Sequence, residues 1–238
     1  MDSPSHLAQL PLRATPELVE KLRRSPDYFE IHEPEELTEF LDQIKAGDYD
    51  HIYVEPDVYT QIIDSATGDS VLQIAVRAGS LEGVEKILDR FGRSRGRFAQ
   101  WSRHALFVHR NKAGDNCLHM AARKGILDLL IMVYRAIDDD GSWPAPWEHD
   151  TPNVPENRVY GYSALDESSS EHLLMLLTEN SHGRTPAAEA RAAGHDSLAQ
   201  FLDDIVERLD PKGDRRSEAG MAKMLEIVRD VCHYDLVE

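Results

Sequence analysis

The sequence predicts an all-α fold: a solenoid of about five stacked helical hairpins, with irregular capping repeats and two long insertions between repeats. Three observations carry this expectation. Three segments share one pattern, Gly68 to Gly79, Gly114 to Gly125 and Gly183 to Gly194, each with glycines eleven residues apart and an alanine seven after the first. Apolar pairs then follow at helical spacing: Gly83-Val84 and Ile87-Leu88, Leu129-Leu130 and Val133-Tyr134, and more loosely Leu198-Ala199 and Phe201-Leu202. A single hairpin of this kind cannot bury its apolar face, but stacked copies can.

The elements follow in chain order. Residues 1–22 read as a flexible N-terminal segment and 23–210 as the repeat domain. The first repeat, 34–63, is degenerate: Leu37, Phe40, Leu41 and Ile44 share a helical face, Pro34, Glu35 and Glu36 suit its start, and Gly47 ends it. Val58, Ile62 and Ile63 supply its short second helix. Repeats 66–89, 112–135 and 181–209 open with Ser70, Asn116 and Thr185 as helix caps, the last followed by Pro186 in a first-turn position. The second glycine of each pair suits a left-handed bend between helices. The interval from Gly114 to Gly183 has room for a short fourth repeat, 159–179. It would start at Gly161-Tyr162-Ser163-Ala164-Leu165, with Leu173-Leu174 and Leu176-Leu177 on its second helix. Insertions occupy 90–110 and 136–158. Residues 211–238 are expected as a C-terminal capping helix, closed onto the stack by Met221, Met224, Leu225, Ile227 and Val228, and 210–218 as loosely attached.

The repeated segments resemble the ankyrin family, whose pattern is G-x-T-P-L-H-x-A-A-x-x-G. Gly114 to Gly125 matches best: Leu118, His119, Ala121 and Ala122 agree, while Asn116 and Cys117 replace Thr-Pro. In the first copy Ser70, Val71 and Gln73 replace Thr, Pro and His. In the third, Thr185 and Pro186 agree and Ala187-Ala188 replace Leu-His. The resemblance covers about 34–210. It implies structural roles for Gly68, Gly79, Gly114, Leu118, His119, Ala121, Gly125, Gly183, Thr185, Pro186 and Gly194, with His119 a buried, hydrogen-bonded imidazole. It also implies protein binding through hairpin tips and a concave face lined by first helices. By position, the tip candidates are Asp69, Asp115 and Arg184. The concave candidates are Gln73, Arg77, Arg123, Lys124, Arg191 and Ala192.

Composition bounds the function. The 238 residues hold 43 Asp+Glu against 26 Lys+Arg, a net charge of -17, with 41% hydrophobic residues, too many for a wholly disordered chain. No apolar run approaches ~18 residues, so no membrane span is expected. The first residues, Met1 to Arg13, lack the basic start and apolar block of a secretory signal. Two cysteines make no disulfide framework, so a reducing compartment is expected, cytoplasmic or nuclear and cytoplasmic. The acidic surplus disfavours a nucleic-acid coat and suits a protein partner with a basic surface. It sets no oligomeric state.

The insertions carry the strongest local signals. From Asp89 to Ala113 the chain holds Arg90, Arg93, Arg95, Arg97, Arg103, Arg110 and Lys112 with Asp89 as its one acid, and Phe91, Phe98 and Trp101 interleaved. Two readings fit: a docking patch for an acidic peptide, a phosphate or nucleic acid, or a clamp against the protein's own acidic helices. The second insertion is acidic, with Asp138, Asp139, Asp140, Glu148, Asp150 and Glu156, and it sets Trp143 and Trp147 around Pro144-Ala145-Pro146. Those rings are either binding hot spots or anchors for the loop. Partner-binding candidates here are Arg93, Arg95, Arg97, Trp101, Arg103, Trp143 and Trp147.

No catalytic residue, cofactor or metal site is expected. Cys117 and His119, two apart on a helix, point to different faces. Cys232-His233 lacks a second ligand pair for zinc, and Gly92 to Gly96 lacks the Lys-Ser/Thr ending of a phosphate loop. The expected function is a non-catalytic protein–protein interaction module, an adaptor or a stoichiometric inhibitor or regulator. Two alternatives stay open: an inhibitor resembling the ankyrin inhibitors of Rel-type transcription factors, and a nucleic-acid or phosphopeptide module using 90–112.

Overall fold

The computed structural model describes residues 34–50, 56–93, 106–136 and 167–233. Every named element among them is helical. In order they are α1 (Pro34–Ala46), a 3-10 turn (Pro56–Gln61), α2 (Val71–Ala78), α3 (Leu81–Arg93), α4 (Cys117–Lys124), α5 (Leu127–Arg135), α6 (Glu167–Leu177), α7 (Pro186–Ala192), α8 (Asp196–Leu209), a 3-10 turn (Asp214–Arg216) and α9 (Glu218–His233). No helix among the described residues is long and apolar enough to cross a membrane.

The helices pair as the repeats dictate: α2 with α3, α4 with α5, α7 with α8. Each first helix starts at a polar cap. Ser70 and Asn116 accept from the backbone N–H of Gln73 and His119, whose side chains answer back to the cap residue. Thr185 accepts from Ala188 ahead of Pro186. Such reciprocal caps satisfy N–H groups that the first turn leaves unpaired. The pairs then stack. First helices run α1, α2, α4, α7, each against the next, and α3 packs on α5. The shared core includes Val71, Leu72, Ala75, Leu118, Ala121, Leu129, Leu130 and Leu202, with Ile44, Val58 and Ile62 closing the N-terminal side.

Small residues let neighbouring turns approach. The Lys112 amide donates to Thr67 O at 3.0 Å and the Ser181 amide to Ala113 O at 2.9 Å, so the loops before α2, α4 and α7 form one continuous ladder. Gly68 and Gly114 sit at that seam with φ of 76° and 74°. A Cβ at Gly68 would lie 2.8 Å from Lys112 N, and one at Gly114 2.9 Å from Ser181 N. Glycine is therefore required twice over, by backbone conformation and by space.

Two expectations need correction. The hairpin led by Gly183 stacks directly on the hairpin led by Gly114, through Ser181 and the packing of α7 on α4. The short repeat at 159–179 therefore does not intervene. Its beginning, through 166, lies outside the described residues, and α6 packs instead on α8 and α9. His172 of α6 bonds the Tyr134 carbonyl at 2.9 Å, which joins it to the end of α5. Segment 210–218 is not loosely attached. Asp210 accepts from the amides of Arg215 and Arg216, and the Gly213 amide from there bonds back to Asp210 O. Beyond it α9 brings Met224 and Leu225 into the core and lies against α6.

Candidate protein-interaction surface

The loops before the first helices are held by one side chain each. Asn111 Oδ1 accepts from the amides of Ala113 and Asp115, and Asn180 Oδ1 from those of His182 and Arg184. Asp64 does the same for the first loop, accepting from Ala66 N and the Thr67 hydroxyl. Asp210 is the corresponding residue after α8. The shared signal, Asp or Asn three or four residues before a left-handed glycine, recurs at Gly68, Gly114, Gly183 and Gly213.

These side chains also reach between repeats. Asn111 donates to Asp69 Oδ1 at 2.7 Å, and Asn180 donates to Asp115 Oδ1 at 2.8 Å and to Glu189 Oε1 at 2.7 Å. Each acid holds an arginine eight residues on. Arg77 Nε is 2.6 Å from Asp69, and Arg123 grips Asp115 with both terminal nitrogens at 2.9 and 3.0 Å. Arg123 Nε then extends to Glu189 at 3.1 Å. The third repeat departs from the pattern, with Arg184 in place of the acid and Ala192 in place of the arginine. Glu189 on α7 supplies the missing carboxylate, and Arg184 lies 3.8 Å from it.

Burial alone would raise the Asp69 and Glu189 carboxyls. Hydrogen bonds from Arg77 and Asn111 to the first, and from Arg123 and Asn180 to the second, outweigh burial and hold both below the usual range. Arg123 is pushed further up by its bonds to Asp115 and Glu189, against a smaller opposing effect of burial.

Gln73 and His119 serve the same purpose at equivalent positions. Gln73 Nε2 donates to Asp115 O at 2.8 Å, and His119 Nε2 meets Arg184 O at 3.0 Å. Each thus ties the first turn of one helix to the loop of the next hairpin. With Nε2 protonated, His119 donates to Arg184 O and Nδ1 accepts the Asn116 amide at 3.3 Å, while Asn116 Oδ1, 2.7 Å from Nδ1, is engaged by the His119 amide rather than by the ring. Burial lowers His119 to about 4 and His109, on Gly68 O at 2.6 Å, also to about 4.

The candidate contact residues fall into three groups. Asp69, Gln73 and Asp115 are 1%, 0% and 1% exposed, so they lock the repeats together and offer no surface. The resemblance placed them by sequence position, whereas the neighbouring loop covers them. Arg77, Lys124, Arg184, Arg191 and Ala192 are exposed, and Arg123 is half-buried. Arg95, Arg97, Trp101, Arg103, Trp143 and Trp147 lie outside the described residues, and Arg93 ends α3. Cys117 is fully buried, which pushes its thiol well up, so it is no nucleophile as placed. Among the described residues no three His, Cys, Asp or Glu side chains are grouped to hold a metal ion.

Sequence reasoning missed Asn111, Asn180, Asp64, Asp210 and Glu189. The spacing to the following glycine was a readable signal for the first four. Glu189 had none, because its partners stand 9 and 66 residues away in sequence.

No protein-family profile matches the chain, and no curated protein does. Among solved structures, a chain in the crystal structure of the yeast ribosomal protein Rps3 in complex with its chaperone Yar1 is similar. It has TM-score 0.50 and 17% identity, covering 74% of this chain and 95% of that one. The crystal structure of EF0377, an ankyrin repeat protein, aligns at 19% identity over 73% of this chain and 98% of that one, with a TM-score of only 0.21, too low to bear on the fold. The first likeness supports the helical architecture and concerns the fold alone. Among the described residues every named element is thus helical, in an architecture similar to that of a chain of a protein–protein complex.

Proposed function

We propose that this chain is a non-catalytic protein-binding module of ankyrin-type repeats, serving as an adaptor or a stoichiometric regulator of its partner. The observation that carries the reading is the division of labour along each first helix. Residues at its start, Gln73 and His119, are consumed in joining repeats, and residues in its last turn, Arg77, Lys124 and Arg191, stay open to solvent. A face built this way is rigid before a partner arrives, so little ordering entropy opposes binding. The similar solved chain belongs to a complex between a ribosomal protein and its chaperone, which agrees with a binding role.

A photo-crosslinking amino acid at Ala78 or Ala192, both exposed at first-helix ends, tests the face directly. Each should capture a partner in cell extract, whereas the same group at Glu85 on α3 should not. Capture at Glu85 alone would place the partner on the second helices and overturn the assignment.

A further inference from the structure

The chain is acidic overall at -17, yet its charge is sorted by helix. The charged residues of α2, α4 and α7 are Arg77, Arg123, Lys124, Glu189 and Arg191. Glu189 is 3% exposed, so every charge these three helices show to solvent is positive. The flanking helices differ: α3 exposes Glu82, Glu85 and Asp89, α8 exposes Asp196 and Glu207 beside Arg208, and the outer first helix α1 exposes Glu35, Glu36, Glu39 and Asp42 beside Lys45.

Ion pairing does not erase the positive face around Arg77, Arg123 and Arg184, because these pairs have a direction. Asp69, Asp115 and Glu189 have side chains 1%, 2% and 5% exposed, while the guanidinium-bearing side chains of Arg77, Arg123 and Arg184 are 51%, 39% and 47% exposed. The carboxylates lie beneath and the cations lie on top. Arg77 is fixed to Asp69 through Nε, which leaves the planar end of its fork directed away from that bond. Lys124 reaches back over Gly79, the glycine ending α2, and so bridges repeats 66–89 and 112–135. Arg191 is the exception: it pairs with Asp203, and both side chains are exposed, at 48% and 38%.

We infer that this row is a docking rail for an acidic segment of a partner protein, one rich in Asp or Glu. The inference rests on the protein-binding reading above and adds the chemistry of the partner. Carboxylates suit a row of held guanidinium and ammonium groups, and arginine forks receive them bidentately. Three first helices at ordinary spacing span roughly 20 Å, about six residues of extended chain. Nucleic acid is the competing anion. It is disfavoured because α2, α4 and α7 contain no Phe, Trp or Tyr on which bases stack, and because the surrounding acidic helices repel a long polyphosphate. The partner's sign on this rail is opposite to the one the net charge suggests. A basic partner would instead face α3 and α8.

The test is fluorescence anisotropy of fluorescein-labelled deca-glutamate with the full chain. Saturable binding at low salt, weakening as salt rises, is expected. The pair Lys124→Glu/Arg191→Glu should lose at least tenfold in affinity. The pair Lys212→Glu/Lys223→Glu alters exposed residues away from the rail by the same charge and should stay within about twofold, since remote surface charge acts weakly through solvent. Circular dichroism verifies that both pairs fold, and a crosslinker at Ala78 of the otherwise unchanged chain should label deca-glutamate. Equal loss in both pairs, no binding, or tighter binding of deca-lysine that is lost in the rail pair would overturn the inference. So would a labelled ten-nucleotide uridylate binding more tightly and losing affinity in the rail pair. If Ala78 captures a natural partner while deca-glutamate fails, the acidic-segment inference fails alone and the protein-binding reading stands.

Discussion

At the scale of the residue, His119 and Gln73 do the same work with different chemistry. Both cap their own helix and both donate to a carbonyl of the next loop. Only histidine titrates. Its folded-state value of about 4 lies below the ordinary 6.5, so the folded protein resists protonation that the unfolded chain accepts. Stability from the neutral imidazole is complete above about pH 6.5 and is lost as pH falls toward 4. The full effect is about 3 kcal/mol. His119→Gln should therefore fold nearly as stably as the parent at pH 7. In urea unfolding measured across pH 7 to 4.5, it should lose less stability than the parent, by roughly 2 to 3 kcal/mol at the acid end. Parallel pH profiles would show that the imidazole is not what acid attacks. His109, shifted in the same direction, stays in both proteins and keeps a residual slope. The Asp69 and Glu189 carboxylates are held low, so their contributions are lost in a more acid range than the histidines'.

At the scale of the element, the loops rather than the helices specify how repeats join. Asn180 is 3% exposed, holds its loop through Oδ1, and divides its amide hydrogens between Asp115 and Glu189. Asn180→Ala removes these bonds and leaves two buried carboxylates short of donors, at a cost on the order of 3 to 5 kcal/mol. Asn180→Asp has the same shape, yet it should be no better, because it sets a third carboxylate against the other two. His182→Ala at the exposed tip of the same loop should change stability by under ~0.5 kcal/mol. Chemical denaturation of the three variants ranks them. An Asn180→Asp protein as stable as the parent would contradict the charge argument. Much of this was legible. The glycine pairs, the caps and the apolar pairs located α2 to α5, α7 and α8, because helical period and left-handed glycines leave local marks. The burial of Asp69, Gln73 and Asp115 left none, since the next loop, 42 residues on for the first two and 65 for the third, is what covers them.

At the scale of the whole molecule, α6 and α9 complete the fold in a way that repetition does not predict. The α6 side chains Leu173, Leu174, Met175 and Leu176 are buried, and α9 lies against that helix with Met224 and Leu225. Ending the chain at Ser217 removes these two side chains from the core, a loss of about 3 to 6 kcal/mol of burial. For a chain of this size that corresponds to a fall in Tm of roughly 10 to 20 °C, readable by calorimetry. An unchanged Tm would mean that α9 merely rests on the surface.

The sequence by itself determined the helical class and the pairing of helices across each second glycine, because both depend on spacing within about a dozen residues. It also exposed a local reversal of charge within an acidic chain. Only the tertiary structure decided which repeats are neighbours, since stacking Ser181 on Ala113 discards the intervening copy that the spacing allowed. It alone decided that the acids lie under the arginines. That ordering comes from the desolvation of carboxylates by an adjacent loop, a contact between residues distant in the chain, and it gives an acidic protein a cationic face.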